Sequence, residues 1–210
     1  MNYKKFLAFA AVLTSLFWAG CSEDKVTEPN PNPTGNHIKI DSVKELETFV
    51  AGTADTIKYY SLRENKVIPA EQWNTTNWDV AFTRTKILIN GGASGPGAGV
   101  AALLKNSDYL QIKKAPDDLN YRADSSATNL AIPTGSGNGW YVYNPENHTI
   151  APNPGVVIVL KTANGLWAKM EILGYYKGWP NLTGEPETWK DKTYSFRYSV
   201  QKNGTKLFTE

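Results

Sequence analysis

Histidine is scarce among the side chains here that can bind or catalyse: 210 residues contain two, His37 and His148. A neutral imidazole can ligate a metal or move a proton near neutral pH. His37 ends a Pro/Asn-rich stretch and reads as solvent-exposed. His148 lies in Pro145-Glu146-Asn147-His148-Thr149-Ile150, between an aromatic run at 140–143 and an apolar run beginning at Val156. A loop at a sheet edge is where ligands are reached. An imidazole bonded to nearby backbone is the plainer alternative. Met170 sits among apolar residues at strand spacing and reads as core filler. Adjacent carboxylates such as Asp117 and Asp118 fall in loop-like sequence and read as solvated charge, not as an acid–base pair.

Other catalytic patterns fail on spacing. The glycine-rich segment 90–99 follows a strand, as a phosphate loop would. It lacks the closing Gly-Lys-Ser/Thr, and Val100 stands where a dinucleotide fingerprint needs its third glycine. It reads as a β–β connection whose backbone needs positive φ. Ser94 has Gly92 two residues before it but Pro96 two after, and Ser136 has Thr134 and Asn138, so neither makes a nucleophile elbow. No enzyme is expected.

The cysteine is singular. Lys4 and Lys5 precede an apolar stretch at 6–18, then come Ala19, Gly20 and Cys21. The stretch is shorter than the roughly 20 residues a spanning helix requires, and fits a signal peptide. The order resembles a lipobox, although Trp18 stands where leucine is usual. Residues 1–20 are therefore expected to be removed and Cys21 acylated. Two or three acyl chains would anchor the protein without a spanning helix. With Cys21 used, no disulfide or thiolate metal site remains. Loss of Lys4 and Lys5 leaves 20 basic against 20 acidic residues, with no cationic excess for nucleic acid.

The elements that must carry His148 can be read next. Residues 21–37, with Pro29, Pro31 and Pro33, read as an extended tether. The acidic Ser22-Glu23-Asp24 is either a sorting signal for the outer face of the outer membrane or ordinary linker charge. Residues 38–210 are expected to form one domain, long enough for a substantial core. Ile38 and Ile40 alternate with polar residues. Ser42 with Glu45 is a possible capping box for a short helix carrying Val43, Leu46, Phe49 and Val50. Beyond it, strands are expected at 57–62, at 78–89 as one continuous element, at 156–160, at 167–176 and at 194–200. Asn164-Gly165 and Asn203-Gly204 are hairpin signals, the second returning 206–208 onto the strand before it. Residues 119–132 read as loop. The expectation is an all-β domain of many short, mainly antiparallel strands, sandwich-like, with at most one or two short helices. Trp179 and Trp189, among Gly, Pro and Thr, are expected to be partly exposed and able to stack on a ligand.

Three segments together carry a family resemblance. They are Thr76-Asn77-Trp78-Asp79-Val80-Ala81-Phe82-Thr83-Arg84 followed by Asn90-Gly91-Gly92; 156–176 with Lys161-Thr162-Ala163-Asn164-Gly165; and Thr193-Tyr194-Ser195-Phe196-Arg197-Tyr198. From about Ile38 to the end the chain resembles the HmuY-like outer-membrane lipoproteins. The resemblance implies an all-β fold and non-enzymatic haem capture at the cell surface. It also implies a haem or haem-protein donor and delivery to an outer-membrane haem receptor. Haem iron is held by His, Met, Cys or Tyr. The resemblance implies paired histidines in two neighbouring loops. This chain supplies His148 in the loop after Trp140, while 108–129 contains no histidine or methionine. His148 is thus the expected axial ligand, with Tyr143 and Tyr121 as the further haem-site candidates. A glycan- or peptide-binding role, or an adhesive or assembly role, on the same scaffold is the alternative.

Overall fold

Strand formation here follows side-chain alternation, and the chain folds into two facing antiparallel sheets. The computed structural model describes residues 38–49 and 56–209. The expected signal peptide and tether, Cys21, His37 and Val50 lie outside the described residues. One compact unit spans Asn36–Glu210 and holds every element below.

In chain order the strands are β1 (Asp41–Glu47), β2 (Lys58–Ser61), β3 (Lys66–Ile68), β4 (Val80–Thr83), β5 (Lys86–Ile89), β6 (Val100–Leu104), β7 (Tyr141–Asn144), β8 (Thr149–Pro152), β9 (Val157–Lys161), β10 (Trp167–Gly174) and β11 (Thr193–Val200). The larger sheet runs β1-β11-β10-β9-β6, the smaller β3-β2-β4-β5, and β7 and β8 form a separate hairpin. Two 3₁₀ turns, Ala70–Gln72 and Pro186–Thr188, are the only helical segments among the described residues. The all-β expectation holds.

The main core lies between the sheets. Tyr60, Val80, Phe82, Ile87 and Ile89 of the smaller sheet meet Met170, Ile172, Tyr194, Phe196 and Tyr198 of the larger. Ring contacts tie the two layers: Phe82 lies 4.7 Å from Tyr194 and 5.2 Å from Phe196, centroid to centroid. The continuous apolar run of β9 has a specific cause. Ile158 and Leu160 face this core, whereas Val157 and Val159 face a second cluster with Tyr109, Ile112, Trp167 and Phe208. A strand covered on both faces has no polar side to show. The cover on the outer face is the irregular segment 105–124.

Three local expectations are corrected. The Ser42–Glu45 helix is absent, and β1 pairs with β11 instead. Val43 and Leu46 are three residues apart, a helical spacing, yet both face the core. A register shift places Val43 opposite Phe196 and Leu46 opposite Tyr194, so the bulge absorbs one residue. Glu45 takes φ 56° there, and its carboxylate accepts from the Gly178 N–H at 3.1 Å instead of capping a helix. The strand expected at 78–89 is a hairpin: Thr83 pairs with Lys86 around Arg84-Thr85, with Arg84 at φ 47°. No glycine or asparagine marks that turn. The chain after Asn203-Gly204 does not return to β11. Leu207 bridges to Lys114, and the Phe208 N–H donates to the Lys113 carbonyl (2.6 Å).

Segment 90–99 is the expected β–β connection, joining β5 to β6. Its glycines serve mainly close approach. A Cβ at Gly97 would lie 2.6 Å from the Asn90 carbonyl, and Gly92 alone in the segment has a positive φ, 64°.

Candidate functional site

The β7–β8 hairpin carries His148. Its register is Tyr141 to Pro152, Val142 to Ala151, Tyr143 to Ile150 and Asn144 to Thr149. The connecting turn is built by short polar side chains. The Asn144 Oδ1 accepts from the Glu146 N–H (2.9 Å), and the Asn147 Oδ1 accepts from the Thr149 hydroxyl (2.7 Å). His148 closes the turn at φ 56°, in the left-handed region.

This geometry folds the imidazole back over its own hairpin. The Tyr143 hydroxyl and His148 Nδ1 are 2.6 Å apart, and the rings lie 6.2 Å apart. Both side chains are exposed to solvent. A bond at Nδ1 fixes the ring and leaves Nε2 unengaged. When Nδ1–H donates to the phenol oxygen, Nε2 carries the lone pair a metal needs.

The hairpin is not free-standing. The Ile150 N–H donates to the Tyr176 hydroxyl at 2.9 Å, and Tyr176 meets Trp189 edge-on at 5.5 Å. Burial pushes the Tyr176 phenol above its ordinary range. The Trp140 indole N–H donates to the Thr85 carbonyl at 2.8 Å and pins the start of β7 to the β4–β5 turn. Around His148 the hairpin exposes Val142 and Tyr143, each 39% accessible, with Ile150 half-buried beside them. That is a partly apolar surface bearing one directed imidazole.

Tyr121 is held elsewhere. Its hydroxyl donates to the Pro116 carbonyl (2.9 Å), and its ring meets Trp167 edge-on at 5.0 Å in the second cluster. Burial first, then the charges of Asp117 and Asp118, push its phenol up to about 12. Tyr109 is fully buried and bonded to Ser199 (2.8 Å), and Met170 is core. Trp179 and Trp189 are half-buried, each with a face packed on the main core. Among the described residues, no three His, Cys, Asp or Glu side chains cluster to hold a metal ion.

Sequence reasoning did not anticipate the bond between Tyr143 and His148. The signal was present: five residues separate them around a tight turn, and Asn144 and Asn147 mark that turn. It also missed the buried polar centre beneath the Trp78-Asp79 motif. Asp79 accepts from Arg63 Nε (2.9 Å), the Arg63 N–H (3.2 Å) and the Ala163 N–H (3.0 Å). Asn90 donates to the Trp78 carbonyl (2.8 Å) and accepts from the Gly97 N–H (2.9 Å). Asp124 accepts from the N–H groups of Ile89 (3.0 Å) and Ala131 (2.6 Å). Among the described residues no buried side-chain polar atom lacks a partner.

Comparison with known proteins gives a family. A family model described as HmuY protein matches residues 53–189. No curated protein matches the chain. Among solved structures, an apo HmuY analog of Tannerella forsythia aligns with TM-score 0.50 at 15% identity, covering 78% of this chain and 95% of that one. A lipoprotein-like protein of Bacteroides fragilis aligns with TM-score 0.48 at 14% identity, over 79% of this chain and 91% of its own. A Bacteroides vulgatus protein named as HmuY-like and haem-binding aligns with TM-score 0.46 at 15% identity, over 77% and 91%.

Proposed function

This chain belongs to the HmuY family, and on that premise we propose that it is a lipid-anchored envelope protein that binds haem without catalysing a reaction. Cys21 is the lipidation site in this reading. The anchor holds the protein on the outer membrane, displayed at the cell surface. Haem arrives free or from a haem-protein donor, and an outer-membrane haem receptor is the partner that takes it up. Sequestration needs only binding and release.

The observation that supports the site is the 2.6 Å contact between Tyr143 and His148. His148 would supply one axial ligand through Nε2. Tyr143 would set the tautomer and hold the ring plane. Bound haem supplies the iron and its redox chemistry, while this chain supplies orientation and an apolar seat from Val142, Tyr143 and Ile150. Tyr121 takes no part in this arrangement.

A haemin titration of the chain from residue 22 onward tests the reading by absorbance. Saturable binding with a ligated-iron Soret band is expected, and His148→Ala should weaken it about 10-fold or more. Absence of saturable binding would overturn the function. Tight binding untouched by His148→Ala would keep the function and move the ligand. A second prediction concerns Tyr143→Phe, which removes one hydroxyl and keeps the ring. The expected loss is roughly 10-fold, within the 10–100-fold range of outer-shell partners of metal-bound histidine.

A further inference from the structure

Lys169 is buried, and among the described residues its ammonium meets no carboxylate. It lies mid-strand in β10, opposite Ser199 of β11, and is 4% exposed. Its ammonium donates to the carbonyls of Tyr109 (2.7 Å) and Ile112 (2.9 Å). It also stands over the rings of Tyr109 (4.3 Å) and Phe208 (5.6 Å). An ammonium has three protons, and among the described residues no third acceptor takes one. An unpaired buried charge is expensive. The surroundings add to that cost. Burial chiefly, then the charges of Lys113 and Arg197, pull the amine down to about 8, with Asp108 opposing them. Arg197 is already matched by Glu171 at 2.6 Å.

Beside this cation is a cavity of about 460 Å³ lined by Ile38, Ile40, Leu110, Lys113, Lys169, Ser199, Phe208 and Thr209. Its walls divide between apolar side chains (Ile38, Ile40, Leu110, Phe208) and polar ones, and the charged side chains lining it, Lys113 and Lys169, are both positive. Ile40 and Leu110 are 44% and 45% exposed, so the mouth is open and apolar.

We propose that this cavity binds the carboxylate of a medium-chain fatty acid, with Lys169 as its counter-ion and Ile40, Leu110 and Phe208 around the chain. A single anionic head on an apolar tail matches one buried cation below an apolar mouth. Carboxylate binding supplies the acceptor that the third ammonium proton lacks. The site shares no residue with the β7–β8 hairpin and does not rest on the haem reading.

Calorimetric titration of the chain from residue 22 onward with decanoate, and in parallel with decanol, tests the proposal at pH 7. One saturable decanoate site is expected, at least 10-fold tighter than decanol. Lys169→Met should remove that preference and leave decanol binding unchanged. Where Lys169→Met fails to fold, Lys113→Gln should lower decanoate affinity several-fold, and Ile40→Asp at the open mouth should abolish binding of both. Equal affinities for decanoate and decanol, no saturable decanoate site, or decanoate binding unchanged in Ile40→Asp would each overturn it.

Discussion

The protein should unfold cooperatively between about pH 11 and 13, as its buried tyrosines ionise. Tyr109, Tyr175, Tyr194 and Tyr198 are each 2% exposed or less. Burial is the largest cause raising each phenol above its ordinary value of 10.0, with Tyr109 at about 12 and Tyr194 well above that value. A folded pKa above the unfolded one gives stability that is complete below pH 10. That stability is lost as pH rises from there toward the folded value. Once unfolded tyrosines ionise and folded ones do not, each contributes a slope of about 1.4 kcal/mol per pH unit, so four give roughly 5. Total stability is of order 5–15 kcal/mol, so one to three pH units suffice. Lys169 acts oppositely at lower pH. Its folded value, about 8 against 10.5, makes its contribution rise from pH 8 to 10.5 before the tyrosines dominate. Tyrosinate absorbance at 295 nm and far-ultraviolet circular dichroism should change together. Reversible titration of all tyrosines near pH 10 with the sheet signal intact would sink the prediction.

Asp79→Ala should cost about 3–5 kcal/mol, the range for breaking a buried pair from one side. Asp79 is fully buried and binds three parts of the fold at once. Its carboxylate reaches the β2–β3 turn through Arg63, and the β9–β10 turn through the Ala163 N–H. It also meets the Ser61 hydroxyl. Burial is the largest influence on its pKa and raises it, while Ala163 and Arg63 pull the other way. The carboxylate therefore stays paired at a desolvation cost, and its removal strands a guanidinium and two N–H groups. Arg63→Ala should cost less, about 1–3 kcal/mol, because the backbone donors to Asp79 remain. Urea unfolding of the two variants measures the ordering. A cost below 1 kcal/mol for Asp79→Ala would show that solvent replaces these bonds, and the account of the Trp78-Asp79 motif would fail. The motif thus serves the sandwich: Trp78 fills the outer face of the smaller sheet beside Tyr59, 4.9 Å away, and Asp79 ties the two sheets at their ends.

Much of this was legible from local pattern. The alternation Tyr194, Phe196, Tyr198, Val200 specifies one inward face, and β11 carries it. Asn164-Gly165 marks the β9–β10 turn where it occurs, with Gly165 at φ 82°. Period and turn chemistry are properties of neighbouring residues, so sequence displays them. The β1 region was misread because a bulge makes strand residues three apart face the same way, imitating a helix. The Arg84-Thr85 turn was invisible because its left-handed residue is not a glycine and the hairpin is held by pairing on both sides.

The candidate site divides along the same line. His148 and its loop were readable, since one histidine stood among turn-forming residues after an aromatic strand. The reach of Tyr143 to it depended on hairpin register, and the separation of Tyr121 depended on which face of the larger sheet segment 105–124 covers. The sequence by itself determined the strand-rich architecture and the scarcity of histidine and cysteine. Those follow from composition and short-range spacing. Only the tertiary structure decided that Tyr143 partners His148, that Tyr121 is packed against Trp167, and that Lys169 is buried with no anion among the described residues. Each is a contact between residues placed by pairing and covering, which spacing along the chain does not encode.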